Sequence, residues 1–112
     1  MTDKQIIEIL ATKVMGWKAD GIAYVKADNP EYMVGVQVAE WNPLEDLNHA
    51  FEVVEKLRGS ISILVESFPD GYEGIARKEY GDCRVLAEIS AKTPQEAICN
   101  AAMKVVAENY GN

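Results

Sequence analysis

Three basic residues surround one predicted turn in the second half of the chain and could bind an anionic group. Arg77 and Lys78 lie near the end of one predicted strand, and Arg84 begins the next, within the segment EGIARKEYGDCR. Tyr80 lies between them. Guanidinium groups bind phosphate through two parallel hydrogen bonds, and aromatic rings stack on nucleotide bases. The cluster indicates a nucleotide or phosphate site or, alternatively, an exposed sheet edge protected by charge.

The two tryptophans offer a second kind of contact. Trp17 follows the predicted end of the first helix, and Trp41 precedes the predicted second helix. Tryptophan is enriched at interfaces, and it also fills protein cores. We take Trp41 or Tyr80 as the stacking partner of a base held by the basic cluster, with a core position as the alternative for both tryptophans.

Residues suited to catalysis or metal binding are sparse. His49 is the single histidine, and no motif places a nucleophile beside it, although Asp46 could orient it from one helical turn away. Cys83 and Cys99 have no CxxC spacing, and one histidine with two separated cysteines does not supply a zinc site. We therefore expect two reduced thiols, a surface histidine, no metal, no cofactor and no catalysis.

The stretch from Trp41 to Gly59 is predicted to position the other elements, because it carries signals for both ends of a helix. Asn42 can cap the start, Pro43 suits the first helical position, and Gly59 can adopt a left-handed stop. A stripe of apolar residues repeats at helical spacing and is predicted to face the core: Leu44, Leu47, Phe51, Val54 and Leu57.

The remaining elements follow from periodicity and turn signals. The pattern predicts a first helix over residues 3–15 that ends at Gly16, and a hairpin of strands 22–26 and 33–39. Three strands, the first after Gly59, the second from Tyr72 to Tyr80 and the third from Arg84 to Ser90, are joined by short turns, the first of them at FPDG. They form an antiparallel meander, in which Val85, Ala87 and Ile89 face inward. Gly74 and Ala76 share one strand face and allow a helix to approach closely. Thr93, Pro94 and Glu96 start a last helix that is rich in alanine.

Four segments in this order carry a family resemblance: VMGWK, the Trp-Asn-Pro helix that ends in VVEKLRG, FPDGYEG, and KTPQEAICNAAMKVV. Together they resemble the small phage proteins of the phage ABA-sandwich domain family. The resemblance implies a phage or prophage origin and helices on both faces of a sheet, and it brings no catalytic residues with it. The expected fold is α+β, with a three-stranded antiparallel meander, a hairpin and three helices in an α/β/α sandwich.

The chain length and the net charge restrict the classes of function that are possible. The 112 residues suffice for a single domain, and the net charge of −7 disfavours general binding to DNA or RNA. No apolar run approaches the ~20 residues of a membrane helix, and acidic residues interrupt any signal-peptide pattern at the start, so we expect a cytoplasmic protein.

These observations predict a non-enzymatic phage protein that holds a small anionic, nucleotide-like ligand and thereby sequesters a host immune signal. The alternative is a protein-interaction module that inhibits a host protein through an acidic surface. We also expect a homo-oligomer, with a dimer favoured, because twofold pairs are the commonest closed assemblies. The tryptophans and the alanine-rich last helix are the contact surfaces that the sequence suggests for it.

Overall fold

Helices and antiparallel sheets alternate along the chain. The computed structural model describes residues 1–20, 23–26, 35–37, 41–79, 81 and 84–109. Within these residues the helices are α1 (Asp3–Ile9), α2 (Leu47–Leu57) and α3 (Pro94–Asn109), and a π-helical segment (Leu10–Val14) continues α1. The strands are β1 (Trp17–Asp20), β2 (Ala23–Lys26), β3 (Gly35–Gln37), β4 (Ile61–Phe68), β5 (Gly71–Lys78) and β6 (Val85–Ala91). The predicted α+β class, with an antiparallel meander and three helices, is confirmed.

The larger sheet is the predicted meander, with the strand order β4-β5-β6 and antiparallel pairing throughout. Its register is interrupted between Ala76 and Arg77, where Arg77 pairs with Val85 after Ala76 has paired with Ala87. This irregularity changes the alternation at the start of β6. The prediction that Val85 faces inward is therefore wrong: Val85 is 44% exposed, whereas Ala87 is buried.

Helix α3 lies close against one face of this sheet. A Cβ atom placed on Gly74 would overlap the backbone carbonyl of Ala97, so only glycine fits at this position. Ala76 on the same strand face and Ala97, Ala101 and Ala102 on the helix are fully buried. The predicted close approach of a helix to Gly74 and Ala76 is confirmed, and the small residues set the distance between the two layers.

The N-terminal helix begins with a capping box. The Gln5 N–H donates to Thr2 Oγ1 at 3.2 Å, and the Thr2 N–H donates to Gln5 Oε1 at 2.9 Å. The end of the helix differs from the predicted α-helix over residues 3–15, because it widens into the π-helical segment, in which the Met15 N–H donates to the Leu10 carbonyl. Gly16, at φ +76°, then stops the helix as predicted.

A second, smaller sheet follows the first helix. Its order is β1-β2-β3, and both pairs are antiparallel. The pairing of β2 with β3 confirms the predicted hairpin, whose turn at residues 27–34 lies outside the described residues. Strand β1 was not predicted, because its Lys18 and Asp20 interrupt the apolar pattern, although Trp17 and Ala19 do alternate with them.

The start of α2 differs from the prediction. Asn42 caps a separate turn instead of the helix: its Oδ1 accepts from the Leu44 N–H at 3.2 Å, and its carbonyl accepts from the N–H groups of Glu45 and Asp46. The N-cap of α2 is Asp46, whose extended backbone interrupts the helix and whose Oδ1 accepts from the Asn48 N–H at 2.9 Å. The C-terminal stop at Gly59, with φ +97°, is as predicted.

The buried face of α2 also differs from the prediction. Ala50, Val53 and Leu57 are buried, whereas Leu47 is 38% and Phe51 is 48% exposed. The apolar stripe that includes Leu47 and Phe51 was wrongly predicted to face the core along its whole length. The separate Asn42 turn explains the error in part, because the helix starts four residues later and rotates a different line of side chains inward.

Candidate functional site

The basic cluster predicted from the sequence lies at one end of the β5–β6 pair. The Lys78 N–H donates to the Arg84 carbonyl at 3.0 Å, so the backbone brings these two residues together. Arg77, Lys78 and Arg84 are all exposed. Consecutive strand residues point to opposite faces of a sheet, so Arg77 and Lys78 diverge. Tyr80 lies outside the described residues, and a pocket built by the whole cluster stays a prediction.

Trp41 has a position in the core. Its side chain is 2% exposed, and its Nε1–H donates to Glu52 Oε2 at 2.7 Å. The Trp17 ring meets it edge-on, with centroids 4.9 Å apart and planes at 70°, and His49 stacks on it with a centroid distance of 6.3 Å. Both tryptophans therefore lie in the core, which was the alternative position proposed for them from the sequence. A base could stack on Trp41 only by displacing a protein side chain.

His49 holds the turn that carries Trp41. Its Nδ1 accepts from the Asn42 N–H at 3.0 Å, which assigns the proton to Nε2. Nε2 lies 3.8 Å from Asp46 Oδ2, which is too long for a hydrogen bond, so the contact that orients the ring is the one with Asn42. With Nδ1 bound to the backbone, the imidazole links the Asn42 turn to helix α2, and this contact explains the histidine as a structural residue.

The surfaces suggested for a dimer lie inside the protomer. Trp17 is 8% exposed, and three of the four alanines of α3, Ala97, Ala101 and Ala102, are fully buried. These residues cannot serve as an interface between copies without unfolding part of the core. The homo-oligomer itself stays a prediction, and its contact surface would have to be formed by other residues.

Cys99 belongs to the core and is a free thiol. Burial, together with the nearby Glu96 carboxylate, raises the pKa of this thiol to about 12. Cys99 is therefore protonated at neutral pH and is not a nucleophile. Cys83 lies outside the described residues. Within the described part of the chain, no group of three or more His, Cys, Asp or Glu side chains could hold a metal ion.

The structure brings together a different pair of cations. A cleft of about 180 Å³ lies between the end of the π-helical segment and the end of α2, and it is lined by Lys13, Val14, Lys56, Leu57, Ser60 and Val106. Lys13 and Lys56 come from separate helices and share this opening. We call it the lysine cleft. Its lining combines two ammonium groups, a serine and an apolar floor, the mixture of groups that binds an anion with an apolar part.

The charge in the lysine cleft is the result of two opposing effects. Both lysines stand in the last turn of their helical segments, where the helix dipole places about half a negative charge. Part of the positive charge therefore offsets the two helix ends, which is the ordinary structural role of such lysines. Two full charges exceed two half charges, so about one positive charge is left for a ligand. This local excess is notable on a chain whose net charge is −7.

A second cleft adjoins the lysine cleft. It has a volume of about 250 Å³ and is lined by Met1, Ile9, Lys13, Met103, Val106 and Ala107. Lys13 and Val106 line both clefts. Ligand pockets commonly measure about 300–1,000 Å³, so neither cleft alone matches a nucleotide-sized molecule. A ligand of that size would extend across Lys13, with its anionic part beside Lys56 and its apolar part beside Met103.

The lysine cleft was missed in the sequence because each lysine has a local explanation as the favourable charge at a helix end. Their proximity depends on the contact of α2 with the π-helical segment, a tertiary contact that periodicity does not predict. The π-helical segment is the one unusual local feature at the site, and such segments recur at functional sites. It has no signal that we recognise in the sequence.

The fold defines the class of this protein: a small α+β domain in which an antiparallel meander is covered by a closely packed, alanine-rich helix. The chain belongs to the phage ABA sandwich domain family, whose model matches residues 8–103. The predicted resemblance is thus confirmed over most of the chain.

A solved structure agrees with this assignment. The chain is similar to a phage protein from Bacillus cereus ATCC 14579, known from a 2.0 Å crystal structure. The TM-score is 0.63 and the sequence identity is 21%, with 93% of this chain and 91% of that chain covered. At this identity the likeness concerns the fold. No curated protein matches the sequence significantly. None of the helices in the described residues is both long enough and apolar enough to cross a bilayer.

Proposed function

We propose that this phage protein is a binding protein without catalytic activity, and that it sequesters a small anionic ligand of the nucleotide type. One observation carries the proposal: Lys13 and Lys56, from two separate helical segments, line one cleft beside an apolar floor. A chain with a net charge of −7 repels anions over most of its surface, so a small anion would need such a local excess of positive charge.

The two neighbouring clefts suggest which part of the ligand would lie in each of them. A phosphate would accept charge-assisted hydrogen bonds from Lys13 and Lys56, and a base would lie against Met103 and Val106 in the second cleft. Sequestration needs affinity and no reacting group, and neither His49 nor Cys99 has a role in this site. The proposed place of action is the cytoplasm of the host bacterium, where nucleotide signals are made.

Calorimetry with a panel of cyclic nucleotides and ADP-ribose-type ligands tests the proposal. We expect the wild type to bind at least one of them, and chromatography should recover the bound ligand intact. Lys13→Gln and Lys56→Gln should each weaken binding about tenfold or more, since a hydrogen bond to a charged group contributes ~1.5–3 kcal/mol. Lys92→Gln is the matched control, because Lys92 is exposed and lines neither cleft.

Other outcomes would contradict the proposal in distinct ways. A wild type that binds no member of the panel would overturn it. Altered ligand chemistry after binding would indicate an enzyme. Unchanged affinity in both lysine variants, with a loss in Arg77→Ala or Arg84→Ala, would place the ligand at the predicted basic cluster at the end of the β5–β6 pair.

A further inference from the structure

The sheet β4–β6 has a second face, opposite α3, that carries both large apolar and acidic side chains. Gly74 and Ala76 of β5 face α3, so the alternate residues of this strand point to the other side. Residues paired across an antiparallel sheet point to the same side, which adds the partners on β4 and β6. We call this the outer sheet face, and its central residues are Leu64, Glu66, Phe68, Glu73, Ile75 and Glu88.

The apolar residues of the outer sheet face are strongly exposed. Leu64 is 39% exposed and Phe68 is 45% exposed, and Ile75, the direct partner of Leu64, is half-buried. Leu64 and Ile75 are therefore adjacent, and Phe68 lies four residues further along β4, beyond the paired Glu66 and Glu73. Exposed apolar side chains accompanied by polar ones on one face are typical of a protein interaction site.

Acidic side chains lie between and beside these apolar residues. Glu66 pairs directly with Glu73, and Glu88 pairs with Ile75 next to them. Like charges directly opposite in a sheet destabilise it. Within the described residues, none of these three carboxylates forms an ion pair. A cation supplied by another molecule would relieve this repulsion, and Arg77 is the only basic residue on the same face of β5.

We propose that the outer sheet face is a docking surface for a second protein, whose contact surface presents apolar side chains bordered by lysine or arginine. Charge complementarity selects this occupant, because the three carboxylates would attract and orient a basic border. A second copy of this chain is a poorer fit, since a twofold pair would bring two sets of carboxylates together. This inference does not depend on the lysine cleft, so either proposal can fail alone.

The dimensions of the face indicate the strength of the complex. Three strands of seven or eight residues, ~4.8 Å apart, cover roughly 14 Å by 27 Å. Stable complexes commonly bury about 800 Å² on each partner, so the sheet face alone supports a transient contact. The experiment should therefore capture the complex covalently instead of relying on a long residence time.

Photo-crosslinking in host cells tests the inference. Benzoylphenylalanine would replace Ser90, an exposed residue that pairs with Glu73, and in the control it would replace Lys104, which is exposed on α3. We expect a host protein, identified by mass spectrometry, to crosslink at position 90 and not at 104. The crosslinked peptide should come from a surface that combines apolar residues with lysine or arginine.

A charge reversal supplies the second arm of this experiment. Glu66→Lys with Glu73→Lys should reduce the crosslinked product at least tenfold. The matched control, Glu8→Lys with Glu55→Lys, changes the net charge by the same amount at exposed helix positions and should leave the product unchanged. Thermal melts of both variants would verify that the fold is kept.

Three results would overturn the inference. The first is a crosslink at position 90 to a second copy of this chain, which would make the face an interface between protomers. The second is no crosslink to any host protein, and the third is equal crosslinking by the wild type and the Glu66→Lys, Glu73→Lys variant.

Discussion

The two faces of the β4–β6 sheet invert the usual relation between residue size and burial. At the centre of the face toward α3 lie small residues, with Gly74, Ala76 and Ala87 buried, and the larger Ile61 and Ile63 of β4 lie beside them. The opposite face carries the larger Leu64 and Phe68, which are exposed at 39% and 45%. The small residues let the helix backbone come close, and the dense contact of two backbones replaces the burial of large side chains.

Helix α2 repeats this difference at a smaller scale. Ala50 and Val53 are fully buried, whereas Phe51 between them is 48% exposed. Hydrophobicity therefore identifies the apolar residues of an element, while size decides which of them can lie between closely spaced layers. The large apolar residues left outside are then available for contacts with other molecules.

The largest expected effect comes from adding one methyl group to the inner face. Gly74→Ala should lower the free energy of unfolding by about 3 kcal/mol, at the upper end of the usual cost of overpacking, because the new Cβ meets backbone atoms of Ala97. Urea denaturation measures this loss. Ser90→Val enlarges a side chain on the outer face and should change stability by less than ~0.5 kcal/mol. Similar values for the two variants would show that the faces do not differ in packing.

A paired truncation on α2 tests the same difference by removing atoms. Val53→Ala should cost about 2 kcal/mol, since it deletes fully buried methyl groups and leaves a cavity. Phe51→Ala should cost under ~1 kcal/mol, although it deletes more atoms, because the ring is half in solvent. Thermal or urea unfolding of both variants gives the ranking. A larger cost for Phe51→Ala would restore the apolar stripe predicted from the sequence.

The sequence predicted most of the fold because its signals are local. The turn at FPDG, the stops at Gly16 and Gly59 and the cap at Thr93 each act within a few residues, and all lie where they were expected. The exposed stripe on α2 was mispredicted because the Asn42 turn is held by His49 and the helix start is shifted by Asp46. Periodicity cannot report such contacts, since they depend on side chains that are several residues apart.

The candidate site was less accessible to sequence reasoning. Charge density along the chain favoured Arg77, Lys78 and Arg84, because they are close in sequence, yet neighbouring strand positions diverge in space. Lys13 and Lys56 are distant in sequence and converge through helix packing. Trp41 could be recognised as important from its type, but the partners that place it in the core, Glu52 and Trp17, could not.

A third prediction concerns the buried thiol of Cys99, on the helix that packs against the sheet. Because burial raises the pKa of Cys99 from 9.0 to about 12, the thiol ionises in the unfolded chain before it ionises in the folded one. The unfolded state therefore loses its proton first, and stability should fall as the pH rises from 9 toward 12, by up to ~1.4 kcal/mol per unit. Below pH 9 this group contributes no pH dependence.

Urea unfolding between pH 8 and pH 10.5 would measure this slope in the wild type and in Cys99→Ala. The variant lowers stability at every pH by leaving a small cavity, but its slope should be smaller than that of the wild type. Equal slopes of stability against pH in the two proteins would show that water or a counter-charge reaches position 99. The contact between α3 and the sheet would then be less closed than the packing of Gly74 and Ala97 indicates.

The smallest expected effect is a gain in stability on the outer sheet face. Glu66 and Glu73 are directly paired, and a like-charge pair in this geometry destabilises the sheet by a few tenths of a kcal/mol. Glu73→Gln removes the repulsion with little change in shape and should stabilise the protein by ~0.3 kcal/mol at low salt. At 1 M salt, where the screening length falls to ~3 Å, the gain should vanish.

Glu55→Gln, at an exposed position on α2, controls for a general effect of reduced net charge. An equal gain in the control would attribute the effect to the overall charge of −7. A gain specific to Glu73 would mean that this face retains a repulsive pair that the isolated chain does not need, as expected where the two carboxylates serve a basic partner.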